Sequence, residues 1–188
     1  MIYETFDASK HDTRKVAKLI YDVDFRTFDL LFKNSDKAIS TIEKQLKKEE
    51  SLEDTKVILD DNNIIGLLIF WISKKPAFYH SLKTVSLKLL IVDILDYFVL
   101  CDVEKGDFHV AELAIDESQR GKGLGSKVLD DVIGYAKRNN LKRVTLDADF
   151  RNTGAKSLYE RIGFKEFNKK RVKIGSFERG MHNMELKL

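Results

Sequence analysis

Cysteine and proline are almost missing from this sequence, and it contains no long hydrophobic run. With one cysteine, Cys101, in 188 residues, no internal disulfide can form, which fits a reducing compartment. The longest apolar run, Leu89 to Cys101, is broken by Asp93 and Asp96. It falls short of the ~20 residues that a membrane-spanning helix needs. The first residues, MIYETFDASKHD, carry acidic side chains and no apolar segment, so they do not read as a signal peptide. An excess of one charge is lacking too. Lys and Arg number 33 against 30 Asp and Glu, a net +3, without the concentrated basic face of a nucleic-acid binder. His11, His80, His109 and His182 are scattered with no ligand spacing, so no metal site is expected, and each reads as a surface or satisfied core residue. These absences lead us to expect a soluble, cytoplasmic protein with neither a membrane nor a nucleic-acid partner.

What is present suits a single domain over residues 1–188. The chain is 43% hydrophobic, and ~150 residues already suffice to bury about two-thirds of the unfolded surface. Ile2–Phe6 reads as a strand. Ser9-Lys-His-Asp12 has capping-box spacing ahead of a helix carrying Val16, Leu19, Ile20 and Val23. Ser35 is placed to cap a second helix with Ile39, Ile42 and Leu46 inward. Lys56–Asp60 and Ile64–Ile72 read as strands joined by the turn Asp61-Asn62-Asn63. No internal repeat or low-complexity linker appears.

Residues 76–106 break the pattern. Pro76 marks their start, Thr84–Leu89 alternates like a strand, and Leu82 to Cys101 is apolar nearly all round, like a buried helix. The pattern leaves open a helical insertion packed on the core, a homodimer interface, or a lid over a substrate cleft.

Beyond Gly106 the order is strand, glycine loop, helix, strand, helix, strand, strand, an α/β unit following a meander. The strand is Phe108–Ile115. A helix follows with Val128, Leu129, Val132, Ile133 and Ala136 on one face and Asn139-Asn140 as its stop. Val144, Leu146 and Ala148 alternate as a strand, Thr153–Ile162 is a short helix stopped by Gly163, and Phe164–Lys173 and Met181–Leu188 close the chain.

The loop between the strand and the first of these helices suits a pyrophosphate. The first N–H groups of a helix lack internal partners, and its dipole favours an anion there. Gly121, Gly123 and Gly125 let the backbone approach phosphate oxygens, Arg120 and Lys122 add charge, and Ser126 can donate from the first turn. Two nucleotide templates fail. Starting from Gly121, a P-loop requires glycine at 126 and a dinucleotide fingerprint glycine or alanine, and Ser126 stands there.

Gln119-Arg120-Gly121-Lys122-Gly123-Leu124-Gly125 resembles the Q/R-x-x-G-x-G/A acetyl-CoA signature of the GNAT family of N-acetyltransferases. Leu113-Ala114-Ile115-Asp116 resembles that family's fourth strand. Asn152, Ala155, Leu158-Tyr159-Glu160 and Gly163-Phe164 resemble its block N-x-x-A-x-x-L-Y-E-x-x-G-F. The motifs cover roughly residues 108–165, in family order and spacing. Two departures stand out: the insertion at 76–106, where the family usually has a short turn, and Glu117, where many members carry proline.

The resemblance implies an α/β GNAT fold. Its mixed, mostly antiparallel central sheet would splay between strands 4 and 5, with helices on both faces and the helical insertion between strands 3 and 4. It also implies acetyl-CoA as cosubstrate, no metal, and acetyl transfer to a primary amine of a small molecule or peptide by direct attack in a ternary complex. Pantetheine would pair along Leu113, Ala114 and Ile115, and the pyrophosphate would lie on Arg120 through Ser126, including Leu124.

Acetyl transfer asks for a neutral amine, an aligned thioester, an oxyanion donor and a proton for the leaving thiolate. By helical pattern alone Tyr159 is a half-buried tyrosine at a helix edge. The resemblance makes it the candidate general acid, seven residues after Asn152, and a phenol near ~10 can protonate a thiolate whose acid lies near ~8.5. Asn152 would hold the cofactor arm or cap its helix. Glu112, inside the apolar strand FHVAELAI, is a candidate base or a solvent-facing strand residue. Asp147 matches a position that carries a catalytic glutamate in some N-terminal acetyltransferases of the family. Asp149 shares its face, and either could bind the substrate cation. Cys101 has no nearby base motif and is disfavoured as a nucleophile, and KEFNKKRVK (Lys165 to Lys173) reads as a solvated edge. The competing reading is a GNAT-like module that binds acyl-CoA or docks a partner without catalysis.

Overall fold

The computed structural model describes residues 1–49, 51–74, 86–175 and 177–188. Along them run β1 (Ile2–Asp7), α1 (Thr13–Val23), α2 (Phe25–Phe32), α3 (Ser35–Glu49), β2 (Ser51–Asp60), β3 (Asn63–Ile72) and α4 (Leu87–Val99). Then follow β4 (Asp107–Ile115), α5 (Leu124–Arg138), β5 (Arg143–Asp149), α6 (Thr153–Ile162), β6 (Lys165–Ile174) and β7 (Phe177–Lys187). The strands are hydrogen-bonded in the order β1-β2-β3-β4-β5-β7-β6. The β4–β5 ladder is parallel, whereas β1–β2, β2–β3, β5–β7 and β6–β7 are antiparallel. This is the mixed, mostly antiparallel α/β sheet expected from the motifs, and α4 is the helix expected between strands 3 and 4.

The chain separates into two compact units. The first holds β1 through α3, β2, β3 as far as Phe70, α4 as far as Val92, and Glu112–Gly125. Its core joins Phe6 to Val16, Leu19, Phe28, Ile42 and Leu67, all at most 5% exposed. Burying each such side chain contributes about 1.5–3 kcal/mol. β2 and β3 meet in a two-residue turn in which Asp61 and Asn62 have φ of 44° and 65°, as a type I′ hairpin requires. Asn63, expected in the turn, already pairs with Asp60. Gly66 marks a close approach of β3 to β4: a Cβ there would stand 2.7 Å from the Ala114 carbonyl oxygen.

The second unit holds the end of β3 from Trp71, Asp93–Ala111 and Ser126–Leu188. The β4–β5 ladder runs from Asp107↔Arg143 to Val110↔Leu146 and ends there, while β5 stays paired with β7 as far as Asp149↔Met181. The paired end is clamped by Arg143, which donates to both Asp107 oxygens at 2.8 and 2.9 Å and to Glu185 at 2.8 Å. β5 thus goes on pairing with β7 past the last β4–β5 pair, in keeping with the expected splay. β6 is the edge strand, and its exposed lysines are the solvated basic edge read from the sequence.

Several local expectations shift. The cap of α1 lies three residues past Ser9: it is Asp12, accepting from the N–H groups of Arg14 and Lys15 at 3.0 Å each. α2 was not expected. It forms because Phe28 and Phe32, four residues apart, reach the core together, and Lys33 ends it at φ 54°. Pro76, Thr84 and the start of the 76–106 insertion fall outside the described residues. Within α4 only one face is buried, at Leu89, Val92, Leu95 and Val99, while Leu87 and Phe98 are 72% and 60% exposed. Among the described residues no helix is long and apolar enough to cross a membrane.

Candidate active site

In the first unit, β4 hands over to the glycine loop at Asp116. Its side chain caps a single 3₁₀ turn (Glu117–Gln119), accepting from the Ser118 N–H at 3.0 Å and the Ser118 hydroxyl at 2.5 Å. Its own N–H donates to Ile65 of β3 at 2.9 Å. The second carboxylate oxygen takes the Lys15 ammonium of α1. That hydrogen bond first, then those from Ser118, hold the Asp116 carboxyl down at about 2.

Beyond the turn, Arg120 folds back so that its Nε donates to the Ile115 carbonyl at 3.1 Å, and Lys122 donates to Gln119 at 2.8 Å. Gly121 and Gly123 have φ of 78° and 76°, a region that favours glycine. Nothing lies within 4 Å of where a Cβ would stand at either one. The loop therefore presents bare backbone to open space and passes at Leu124 directly into the 15-residue α5, whose Lys137 and Arg138 complement the opposite end of the helix dipole. Bare backbone of this kind ahead of a helix is able to accept an anion. Leu113, Ala114 and Ile115 lead into it on β4, with Glu112 just before them; Ala114 is buried and the others half-buried.

In the second unit, Tyr159 and Asp147 stand together electrostatically. Burial pushes the Tyr159 phenol up to about 12, and the negative charge of Asp147 adds to the shift. The Tyr159 ring lies 6.2 Å from Phe164, and the chain turns between them through Gly163 at φ 111°. Asn152 caps α6, its side-chain oxygen accepting the Ala155 N–H at 3.0 Å. Of the two roles open to Asn152 from sequence, helix capping is the one seen.

Asp147 has a side chain only 3% exposed. It accepts the Cys101 N–H at 3.0 Å and the Asn183 side-chain amide, with His109 Nε2 3.5 Å away. His109 is fully buried, 3.0 Å from the Thr145 hydroxyl and stacked 5.2 Å from Trp71. Of the two placements read from the sequence, surface or core, it takes the core. Burial first, and Asp147 second, push the Cys101 thiol up to about 12, so it stays protonated. Asp149 shares no part of this cluster and is paired with Arg151 at 2.6 Å.

Sequence reasoning missed His109 and Asn183 as partners of Asp147, Thr145 as partner of His109, and Lys15 as partner of Asp116. Asn183 lies opposite Asp147 in the β5–β7 register, a relation visible only once those strands are paired. Among the described residues no group of three His, Cys, Asp or Glu side chains is arranged to hold a metal ion.

A family model described as acetyltransferase (GNAT) family matches residues 20–164. An uncharacterized N-acetyltransferase of Methanocaldococcus jannaschii is 34% identical over 76 residues, covering 37% of this chain and 34% of that protein. N-alpha-acetyltransferase 30 of Schizosaccharomyces pombe is 30% identical over 92 residues, covering 46% of this chain and 61% of that protein. The matches thus span about a third and about three-fifths of these two relatives. A solved Bacillus subtilis acetyltransferase in complex with CoA has the same fold at a TM-score of 0.56 and 13% identity, covering 99% of this chain and 97% of that one.

Proposed function

The chain belongs to the acetyltransferase (GNAT) family, and on that premise we propose that it moves an acetyl group from acetyl-CoA to a primary amine. The observation that carries the proposal is the glycine loop, with positive φ at Gly121 and Gly123 and open space where their side chains would be. Backbone from Arg120 to Gly125, with Ser126, would hold the pyrophosphate, and Leu113, Ala114 and Ile115 the pantetheine. The CoA-bound fold relative supports this assignment.

In the reaction the amine nitrogen forms a bond to the acetyl carbon, the carbon–sulfur bond breaks, and the sulfur takes a proton. Tyr159 is the group we assign to give that proton. Its phenol, held up at about 12, keeps its hydrogen at neutral pH. Asp147, engaged with Cys101 and Asn183, is the second candidate base. Glu112 is the assigned base for the amine. Asn152 serves the site by fixing the start of α6. The name of the yeast relative makes a peptide N-terminus the first acceptor to try, and the same reading expects a cytoplasmic enzyme.

The test is thiol release from acetyl-CoA with a panel of amines that includes peptides with free N-termini, lysine and polyamines. Release with at least one acceptor, matched by its acetylated mass, is expected. Tight CoA binding with no release on any amine would make the chain a binding module and end the catalytic reading.

A further inference from the structure

The loop that would take the pyrophosphate has little packing of its own. Among the described residues, nothing lies within 4 Å of a Cβ built at Gly121 or Gly123, and the side chains of Arg120 and Lys122 bond to Ile115 and Gln119 of the same stretch. Its position is therefore decided where it leaves β4, at Asp116. That residue is held three ways: main chain to Ile65, one carboxylate oxygen to Ser118, the other to Lys15. The first ties the end of β4 to β3 through the main chain, and the second stays inside the turn. The Lys15 contact is the side-chain tie to α1, 101 residues away in sequence.

Lys15 is suited to be an anchor because it is itself fixed. Its N–H is bound by the Asp12 cap, and its neighbours Val16 and Ala17 are fully buried in the core of the unit. Lys15 and Asp116 form part of the wall of an open cavity of about 630 Å³, together with Ser118 and Gln119 of the turn. If the ammonium is removed, the Asp116 carboxylate is left facing that cavity at the root of an anion-binding loop. A negative charge there repels phosphate.

We propose that Lys15 is a positioning residue for acetyl-CoA: by pairing with Asp116 it fixes the turn that carries Gln119 and Arg120 into the glycine loop, and it cancels a charge that would oppose the pyrophosphate. This rests on the acetyl-CoA reading above. The anchoring half is independent of it.

The test uses the full chain with Lys15→Met, Asp116→Asn and the double variant. Hydrogen exchange without ligand reads the anchor. Lys15→Met should speed exchange at Ser118–Gly123 and leave Leu129–Ala136 of α5 unchanged; unaltered exchange in the loop would overturn the anchoring. Calorimetric titration with CoA and steady-state kinetics read the charge. Lys15→Met should weaken CoA about tenfold, equivalent to ~1.4 kcal/mol, and raise the KM for acetyl-CoA with kcat changed less than about twofold. Adding Asp116→Asn should recover part of that loss, since it removes the uncompensated carboxylate.

If the double variant binds no better than Lys15→Met, Lys15 touches the ligand directly and the proposal fails. Equal CoA affinity in Lys15→Met and the unaltered protein also overturns it. An unaltered protein that binds no CoA overturns the acetyl-CoA reading, and with it the charge half, while the exchange result still decides the anchor.

Discussion

The Asp147 carboxylate accepts the backbone N–H of Cys101 at 3.0 Å, tying the free end of β5 to the chain just past α4. The same carboxylate takes the Asn183 amide of β7 and raises the Tyr159 phenol. One buried charge thus holds a structural junction and adds to the proton affinity of the candidate acid. Asp147→Ala leaves two buried donors without their acceptor and should cost about 2–5 kcal/mol in urea unfolding. Asp147→Asn, which keeps an acceptor oxygen, should cost less. In both, the Tyr159 phenol should titrate below about 12 yet above ~10, since burial is the larger cause.

Removing the Tyr159 hydroxyl should separate chemistry from binding. Tyr159→Phe is expected to lower kcat by ~10²–10⁴ and to change CoA affinity less than about threefold. Glu112→Gln should also lower kcat with CoA affinity retained. Stopped-time thiol release and calorimetry check both. Equal turnover in either variant removes the role assigned to that residue.

Tyr159 also predicts an alkaline signature. Its folded value, about 12, lies above the ordinary ~10, so the folded state holds the proton more tightly. Stability from this group is complete below pH ~10 and is lost as pH rises toward 12. Unfolding midpoints of the unaltered protein should therefore fall relative to Tyr159→Phe across that window, measured by circular dichroism.

Asp116 predicts the acidic counterpart. Its folded value, about 2, lies below the ordinary ~3.9, so its contribution is present above pH ~4 and is lost as pH falls toward 2. Carbon NMR of the carboxyl should show a midpoint near 2, and Lys15→Met should move it upward, because Lys15 is the largest cause.

At Gly123, alanine meets no atom but must adopt φ near 76°, costing about 1–2 kcal/mol of local strain. Its methyl group also occupies the space a phosphate oxygen would use. Gly123→Ala should keep its melting temperature within a few degrees while CoA affinity drops about tenfold or more. Calorimetry against the thermal scan distinguishes the two effects.

The features legible in the sequence are those that depend on near neighbours. A run of glycines between a strand and an apolar helix face has only a few conformations available, so Gly121, Gly123 and α5 could be placed in advance. The stop at Gly163 and the turn at Asp61-Asn62 are the same kind of signal. α2 was missed because its two core anchors, Phe28 and Phe32, span a single turn, too short a stretch to show periodicity. The capping box at Ser9 was misread because Asp12, three residues on, competes for the same role and has the helix directly behind it.

The sequence by itself determined the family motifs, the glycine loop and the helix that carries Tyr159, because caps, positive-φ glycines and helix faces are set by residues a few places apart. Tertiary structure alone decided what those groups lean on. Asp147 meets Cys101 and Asn183 across 46 and 36 residues, and Lys15 meets Asp116 across 101. Alternation along a strand tells which face a side chain occupies but not which strand will lie beside it. These partnerships therefore come into being only when strand order and register are fixed by burial of the core.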